Sequence, residues 1–220
     1  MTTPHQLTLD LIRPPRPTLG NFVVGRNAEV VAALRAVAAG GGEQFVYLWG
    51  ENGSGRTHLL RALGLDARQT TVPKPLSHPA LYLIDDVDRC SETEQQRLFI
   101  LLNEVRANSA TRFVGAGHAA PMHLALRDDV RTRLGWGLVY QVHALSDDEK
   151  VQALTAHAAS RGVALPADVV DYLLTHMPRD MRALLTVVDA LDAYALSVKR
   201  AITVSLVKQW AEHARQDTAP

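Results

Sequence analysis

The stretch that decides the fold is GENGSGRTH, residues 50–58. An apolar run, FVYLW at 45–49, is typical of a buried strand, and a helix is predicted over 54–63. Glycines such as Gly50 and Gly55, between a strand and a helix, let backbone N–H groups turn toward a polyphosphate, and the helix N-terminus adds its dipole. The sequence therefore predicts a phosphate-binding loop at this junction.

A second apolar stretch, LYLIDDV at 81–87, contains a pair of carboxylates. The carboxyl ends of parallel strands meet at the edge of the sheet where open α/β folds bind ligands. We therefore expect Asp85 and Asp86 beside the loop. There Thr57 and Asp85 would hold Mg²⁺, Asp85 through water, while Asp86 would orient an attacking water.

Arg56 occupies the position where such loops usually carry a lysine. Arginine keeps the positive charge, but it is a wide planar fork whereas lysine is a compact point charge. Phosphoryl transfer depends mostly on placement and charge stabilisation. We therefore expect nucleotide binding with weak or no intrinsic turnover.

The composition is that of a globular chain. Of 220 residues, 47% are hydrophobic and 21% charged, which suits one domain with a small appendage. No apolar run is long enough to span a bilayer, the N-terminus does not resemble a signal peptide, and Cys90 is the sole cysteine. We expect a cytoplasmic protein without membrane contact. The 23 basic and 23 acidic residues balance, so DNA is expected to be contacted only indirectly or weakly.

Strands and helices alternate up to residue 145, which predicts an α/β body with a parallel sheet covered on both faces. From Ser146 the pattern is helical only. We therefore expect an N-terminal tail (1–20), the body (21–145) and a small all-helical lid (146–220). Further strands are predicted at 111–117 and 138–142, and helices from Asn27 as cap to 39, at 91–108, 146–162, 166–176, 178–199 and 206–215. Capping boxes of Ser91 with Glu94 and of Ser146 with Glu149 are predicted to open the second and third of these helices.

Five segments together resemble the AAA+ domain of the DnaA family, named for the bacterial replication initiator. They are NFVVG (21–25), GENGSGRTHLL (50–60), LIDDVDR (83–89), RTRLGWG (131–137) and PRDMRALL (178–185). They occur in the family's order and cover nearly the whole chain. The Gly-Arg-Thr variant and the length are similar to a shorter, regulatory member that inactivates DnaA. Because the chain ends soon after the lid, we expect no DNA-binding helix-turn-helix and no origin binding.

This resemblance implies roles for individual residues. Arg133 falls at the arginine finger, which acts on a nucleotide in a neighbouring subunit, and Arg182 falls at the lid's sensor arginine. From the residues alone, Arg133 would be a surface arginine in a loop and Arg182 a solvated helix charge. The implied nucleotide contacts are Val23, Val24 and Gly25 at the adenine, and Gly50, Glu51, Asn52, Gly53, Ser54, Gly55, Arg56, Thr57 and His58 at the phosphates.

QLTLDL at residues 6–11 is the other distinctive segment. Alternating leucines on an extended tail can bind as an added strand or a pocket anchor. Gln6, Leu7, Leu9 and Leu11 resemble the peptide by which such proteins dock on the DNA sliding clamp, the beta subunit of DNA polymerase III. The alternative is that this tail packs on its own domain.

Two segments depart from the family pattern. Gly115 and Ala116 stand where a polar sensor side chain usually faces the γ-phosphate, and His118 is more typical of a loop histidine than of a substitute. The segment between the loop and Asp85 is short, which predicts that one strand–helix unit of the body is trimmed.

The resemblance implies a negative regulator of replication initiation. Such a protein binds ADP or ATP with Mg²⁺, docks on the sliding clamp, and stimulates ATP hydrolysis by DnaA in trans. An autonomous AAA+ ATPase, acting as a helicase loader or remodeller, is the main alternative. A scaffold without nucleotide dependence is a third, and homo-oligomerisation is left open.

Overall fold

The computed structural model describes residues 15–66, 71–73, 81–177 and 180–216. The chain divides into two compact units: a body, Pro17–Ala144, and a helical unit containing the chain from Leu145 onward. Each is treated separately below. Among the described helices, none is long and apolar enough to cross a membrane.

The body is built on four parallel strands: β1 (Phe45–Trp49), β2 (Leu81–Ile84), β3 (Arg112–Gly117) and β4 (Leu138–Gln141). Their order in the sheet is β2-β3-β1-β4, so the strand that leads into the loop is flanked on both sides. The predicted parallel α/β sheet is confirmed. This order also brings the ends of β1, β2 and β3 to one edge.

Helices cover both faces of this sheet: α1 (Ala28–Ala38), α2 (Arg56–Ala62), α3 (Glu92–Ala107) and α4 (Asp128–Leu134). Successive side chains of β1 alternate between two cores, as the period of a strand requires. Val46 and Leu48 pack with α1 and α2, whereas Phe45 and Tyr47 pack with α3 and α4. Short 3₁₀ turns at Val87–Arg89 and Pro121–His123 connect the remaining elements.

The expectation that each strand would be buried on both faces is wrong for β4. Leu138 is 41% exposed and Val139 39% exposed. β4 pairs only with β1 among the described strands, and it lies at the end of the sheet. The apolar run at 138–142 therefore predicted a strand correctly. The exposure of that strand follows from its place at the end of the sheet, which the run itself does not reveal.

The lid is a bundle of four helices: α5 (Asp147–Ser160), α6 (Ala167–His176), α7 (Met181–Val198) and α8 (Val204–Gln216). Their apolar stripes share one core in which Leu154, Leu184 and Leu206 are fully buried. The predicted capping box at the start of α5 is present, since the Ser146 hydroxyl accepts from the Glu149 N–H while the Glu149 carboxylate accepts from the Ser146 N–H. The all-helical lid is confirmed.

Capping of α1 by the Asn27 side chain was predicted and is wrong. The Asn27 amide instead donates to the His143 carbonyl at 2.9 Å and accepts from the His143 N–H at 2.8 Å. This buried amide ties the start of α1 to the segment after β4. At α3, by contrast, the predicted capping box of Ser91 and Glu94 is present.

Candidate functional site

The predicted phosphate loop lies between β1 and α2 and depends on its glycines. Gly53 and Gly55 have φ values of +82° and +100°, a region that favours glycine. A side chain at Gly50 would overlap the Val142 carbonyl oxygen, and one at Gly55 would come within 2.7 Å of the Phe22 ring. The glycines therefore allow both the turn of the loop and its close packing against Val142 and Phe22.

Two polar side chains of the loop are buried without a partner. Arg56 is 7% exposed and Ser54 is 5% exposed. Among the described residues, the Arg56 Nη1 and the Ser54 Oγ have no hydrogen-bond partner. A buried, unpaired guanidinium nitrogen is unfavourable, and the oxygens of a phosphate would satisfy it. The donors of the loop therefore fit a bound polyphosphate.

The predicted Mg²⁺ pair is in contact. The Thr57 hydroxyl donates to the Asp85 carboxylate at 2.6 Å, and the second Asp85 oxygen accepts the Asp86 N–H at 3.0 Å. Mg²⁺ beside a polyphosphate takes few protein oxygens, since phosphate and water complete its octahedron. The described residues contain no cluster of three or more histidine, cysteine or acidic side chains that would hold a metal without such a ligand. A hydroxyl and a carboxylate fit the Mg²⁺ of a nucleotide.

Asp86 has a left-handed backbone conformation, with φ of +46°. A non-glycine residue in this region is uncommon and is frequently found at functional sites. Asp86 also lines a cavity of about 340 Å³ with Thr57 and Asp85. The two predicted acidic residues therefore face space that a ligand can enter.

Cys90 lines the same cavity. Burial raises the pKa of its thiol to about 11, and the nearby carboxylates of Glu94 and Asp88 add to this. Because the thiolate is the nucleophilic form, Cys90 is a neutral, unreactive thiol at pH 7.

His118 is held by a carboxylate that the sequence did not single out. The Asp88 carboxylate accepts the His118 backbone N–H at 3.1 Å and lies 2.9 Å from the His118 Nδ1. Burial alone would raise the pKa of Asp88, but the hydrogen bonds from His118 outweigh it and lower that pKa. Gly117 leaves room for this pair, since a side chain there would overlap the Tyr47 hydroxyl and approach Asp88 to 2.9 Å.

The segment predicted to lie against the adenine passes beside the loop. Val24 packs against the core shared by α1 and α2, and Gly25 has φ of +47°. Phe22 lies 5.4 Å from the His58 ring and covers Gly55. The contact from Phe22 was missed, because nothing in the sequence couples that residue to a glycine more than thirty positions later.

Arg133 lies in helix α4 and not in a loop. Its Nε donates to the Asn103 side-chain oxygen at 3.0 Å, and its Nη1 donates to the Asp129 carbonyl at 2.8 Å. The guanidinium carbon lies 4.0 Å from the centre of the Phe99 ring. These contacts fix the guanidinium with neutral groups. Phe99 and Asn103 carry no sequence signal beyond the amphipathic pattern of α3.

Arg182 belongs to the lid and lies in the first turn of α7. Its Nε is buried and has no hydrogen-bond partner among the described residues, and the Asp180 carboxylate is 4.0 Å away. Gln6, Leu7, Leu9 and Leu11, the predicted clamp-binding residues, lie outside the described residues.

Two family models match separate parts of the chain. Residues 14–78 match the bacterial DnaA ATPase domain, and residues 147–210 match the lid domain of Hda. The first match covers the phosphate loop, and the second covers nearly the whole lid.

Solved structures share the fold. Domain III of DnaA from Thermotoga maritima is 18% identical, with a TM-score of 0.62 over 90% of this chain and 98% of that chain. DnaA bound to AMPPCP and single-stranded DNA is 21% identical, with a TM-score of 0.60 over 80% of this chain and 64% of that chain. RuvB from Thermotoga maritima is 17% identical, with a TM-score of 0.60 over 91% of this chain and 73% of that chain.

The chain has the fold of domain III of DnaA, with a parallel sheet, a glycine loop after β1 and a helical lid. The two family matches cover separate segments of the chain, and both are to domains of DnaA-like proteins. The pairing of a DnaA-type body with this lid is consistent with Hda and supports a DnaA-related replication regulator.

Proposed function

We propose that this protein is a negative regulator of replication initiation that stimulates ATP hydrolysis by DnaA in trans. In this account it binds ADP or ATP with Mg²⁺ and docks on the DNA sliding clamp in the cytoplasm. It then presents Arg133 to ATP bound by DnaA. An arginine supplied to another subunit's nucleotide can raise the rate by several orders of magnitude, so one residue is sufficient for such a regulator.

The observation that carries this proposal is the placement of Arg133. It is half-buried, fixed by Asn103 and by the Asp129 carbonyl, and packed on Phe99. No carboxylate forms an ion pair with it among the described residues. A guanidinium that neutral groups hold in a fixed orientation, without an ion pair, can stabilise negative charge on a nucleotide bound by another molecule.

The nucleotide bound by this chain would have a different role from the ATP bound by DnaA. Arg56 and the loop N–H groups would hold its phosphates, while Thr57 and Asp85 would hold Mg²⁺, which neutralises phosphate charge. Val23, Val24 and Gly25 would lie at the adenine. The planar Arg56 in place of a lysine favours binding over turnover. The regulator would therefore hold its nucleotide without needing to hydrolyse it.

Docking on the clamp would be supplied by residues 6–11. Alternating leucines suit a pocket or strand-addition mode of peptide recognition. A pull-down with purified clamp should show binding by the parent protein and loss in Leu9→Ala and Leu11→Ala. Retention of binding in both variants would remove this part of the proposal.

The trans stimulation is tested by hydrolysis of ATP on DnaA with clamp present. We expect Arg133→Ala to reduce the stimulated rate by about 10³-fold or more while leaving clamp binding unchanged. The matched control is Arg97→Ala, because Arg97 is an exposed arginine on the neighbouring helix α3. Full stimulation by Arg133→Ala would show that the finger is assigned wrongly.

An autonomous AAA+ ATPase remains a second candidate, since the Thr57–Asp85 pair is intact and Asp86 lines the adjacent cavity. A helicase loader or remodeller of this kind should hydrolyse ATP alone at a rate of about 1 s⁻¹ or faster. Turnover measured without DnaA separates the two. An ATP hydrolysis rate far below about 1 s⁻¹ favours the proposal that the protein is a regulator.

A further inference from the structure

Trp136 lies under two arginines. The guanidinium carbon of Arg106, from α3, is 4.3 Å from the centre of its ring, and that of Arg133, from α4, is 5.1 Å away. Trp136 is itself fixed, because it packs against the core and meets Phe45 edge-on at 5.5 Å. One rigid aromatic ring therefore positions two cations from different helices.

Neither of these arginines forms an ion pair within the described part of the chain, although the Asp129 carboxylate, which is paired with Arg127, also interacts electrostatically with Arg133. Arg133 bonds only to an amide oxygen and a carbonyl oxygen. The acidic side chains of α4 are engaged elsewhere, Asp129 with Arg127 and Asp128 with Arg131. No ion pair to Arg106 is found among the described residues, and its side chain is exposed.

Two guanidinium groups that lack ion pairs and lie near one ring repel each other and attract a multiply charged anion. Guanidinium groups bind phosphate oxygens through two parallel hydrogen bonds, so a pair of them suits a polyphosphate better than a single carboxylate. A bound anion would reduce the electrostatic repulsion between the two guanidinium groups, which their cation–π contacts with Trp136 offset only in part.

We propose that Arg106 and Arg133, supported by Trp136, form a two-arginine site for the polyphosphate of a nucleotide held by another molecule. This inference rests on the proposed function of Arg133 and adds Arg106 as a second contact to the same ligand. Arg106 then shares the phosphate charge with Arg133, and α3 becomes part of the surface that meets the partner's nucleotide.

The site can be tested without any partner protein. The full-length chain is saturated with ADP, so that the phosphate loop is filled, and inorganic tripolyphosphate is titrated while tryptophan emission is recorded. We expect a saturable change that disappears in Trp136→Phe, which assigns it to Trp136. Arg106→Ala and Arg133→Ala should each weaken the apparent affinity about tenfold or more.

The matched control is Arg97→Ala, an exposed arginine on the same helix, which should titrate like the parent. No saturable change in the parent would overturn the proposal, and so would equal affinity in Arg106→Ala. Circular dichroism of each variant confirms that the fold is retained.

A second measurement separates this inference from the proposed function. DnaA hydrolysis at saturating regulator should fall about tenfold in Arg106→Ala, and Arg106→Lys should recover part of it because the charge is kept. If Arg133→Ala loses stimulation but Arg106→Ala keeps it, the two-arginine site is wrong and the proposed function stands. If neither variant loses stimulation, both are wrong.

Discussion

Arg56→Met offers a strong test of the phosphate loop, because it should stabilise the free protein while weakening nucleotide binding. Arg56 is 7% exposed, and its Nη1 has no partner among the described residues. Leaving a charged group buried and unpaired costs about 1–3 kcal/mol. A flexible, apolar methionine removes that cost, so the free energy of unfolding of the nucleotide-free body should rise by about the same amount.

The effect on the nucleotide complex has the opposite sign. A hydrogen bond to a charged group contributes about 1.5–3 kcal/mol, so ADP should bind about 10- to 150-fold more weakly. At an ADP concentration of about one hundred times the parent's Kd, ADP should stabilise the parent by about 2.7 kcal/mol. The variant should gain only about 0.3–1.4 kcal/mol at that concentration.

Native-state hydrogen exchange at the amides of β1 is the suitable assay, because it reports on the body alone. Titration calorimetry gives the ADP affinity. Arg35→Met on α1 is the matched control, since Arg35 is exposed and should change stability by less than about 0.5 kcal/mol. If Arg56→Met is less stable than the parent without nucleotide, or if it binds ADP as tightly as the parent, then Arg56 is not an unpaired phosphate ligand.

Three further predictions concern single contacts. Thr57→Val should lower the ADP affinity measured by calorimetry about tenfold in Mg²⁺ but leave it unchanged in EDTA, because the Thr57 hydroxyl would bind the metal. An equal loss of affinity in EDTA would contradict this role. Asp88→Asn should destabilise the body at pH 7, and the difference in unfolding free energy should persist down to about pH 4, the ordinary pKa of an aspartate, and shrink only below it. The pKa of Asp88 is lowered in the fold, so its stabilisation is present above the ordinary pKa and lost as pH falls through the lowered one; a gap that does not shrink below the ordinary pKa would be inconsistent. Ser146→Ala should lower the free energy of unfolding of the lid, measured in urea, by about 0.5–2 kcal/mol. The control Ser205→Ala, at an exposed position of α8, should leave it unchanged. Equal effects of the two substitutions would argue against capping by Ser146.

The features that the sequence predicted well are those set by neighbouring residues. The strand 45–49, the glycine loop after it and the capping box at Ser91 depend on contacts within a few positions of the chain. Local patterns of this kind specify element type directly. The parallel sheet followed from the alternation of such elements.

The features that were missed or mistaken depend on distant partners. Asn27 was expected to cap α1, but it pairs with His143, 116 positions away. The exposure of β4 follows from its place at the end of the sheet, and the fixing of Arg133 by Phe99 and Asn103 follows from the packing of α3 on α4. No pattern within a single element carries this information.

The most direct test of the account asks in which molecule ATP is hydrolysed. DnaA is loaded with labelled ATP, and the clamp-bound regulator is added with its own site filled by non-hydrolysable AMPPCP. We expect the label to be converted to ADP as fast as with ADP-filled regulator, and we expect Arg133→Ala to stop the conversion. Conversion only when the regulator holds ATP, or conversion that continues with Arg133→Ala, would contradict the proposal that Arg133 stimulates hydrolysis on DnaA.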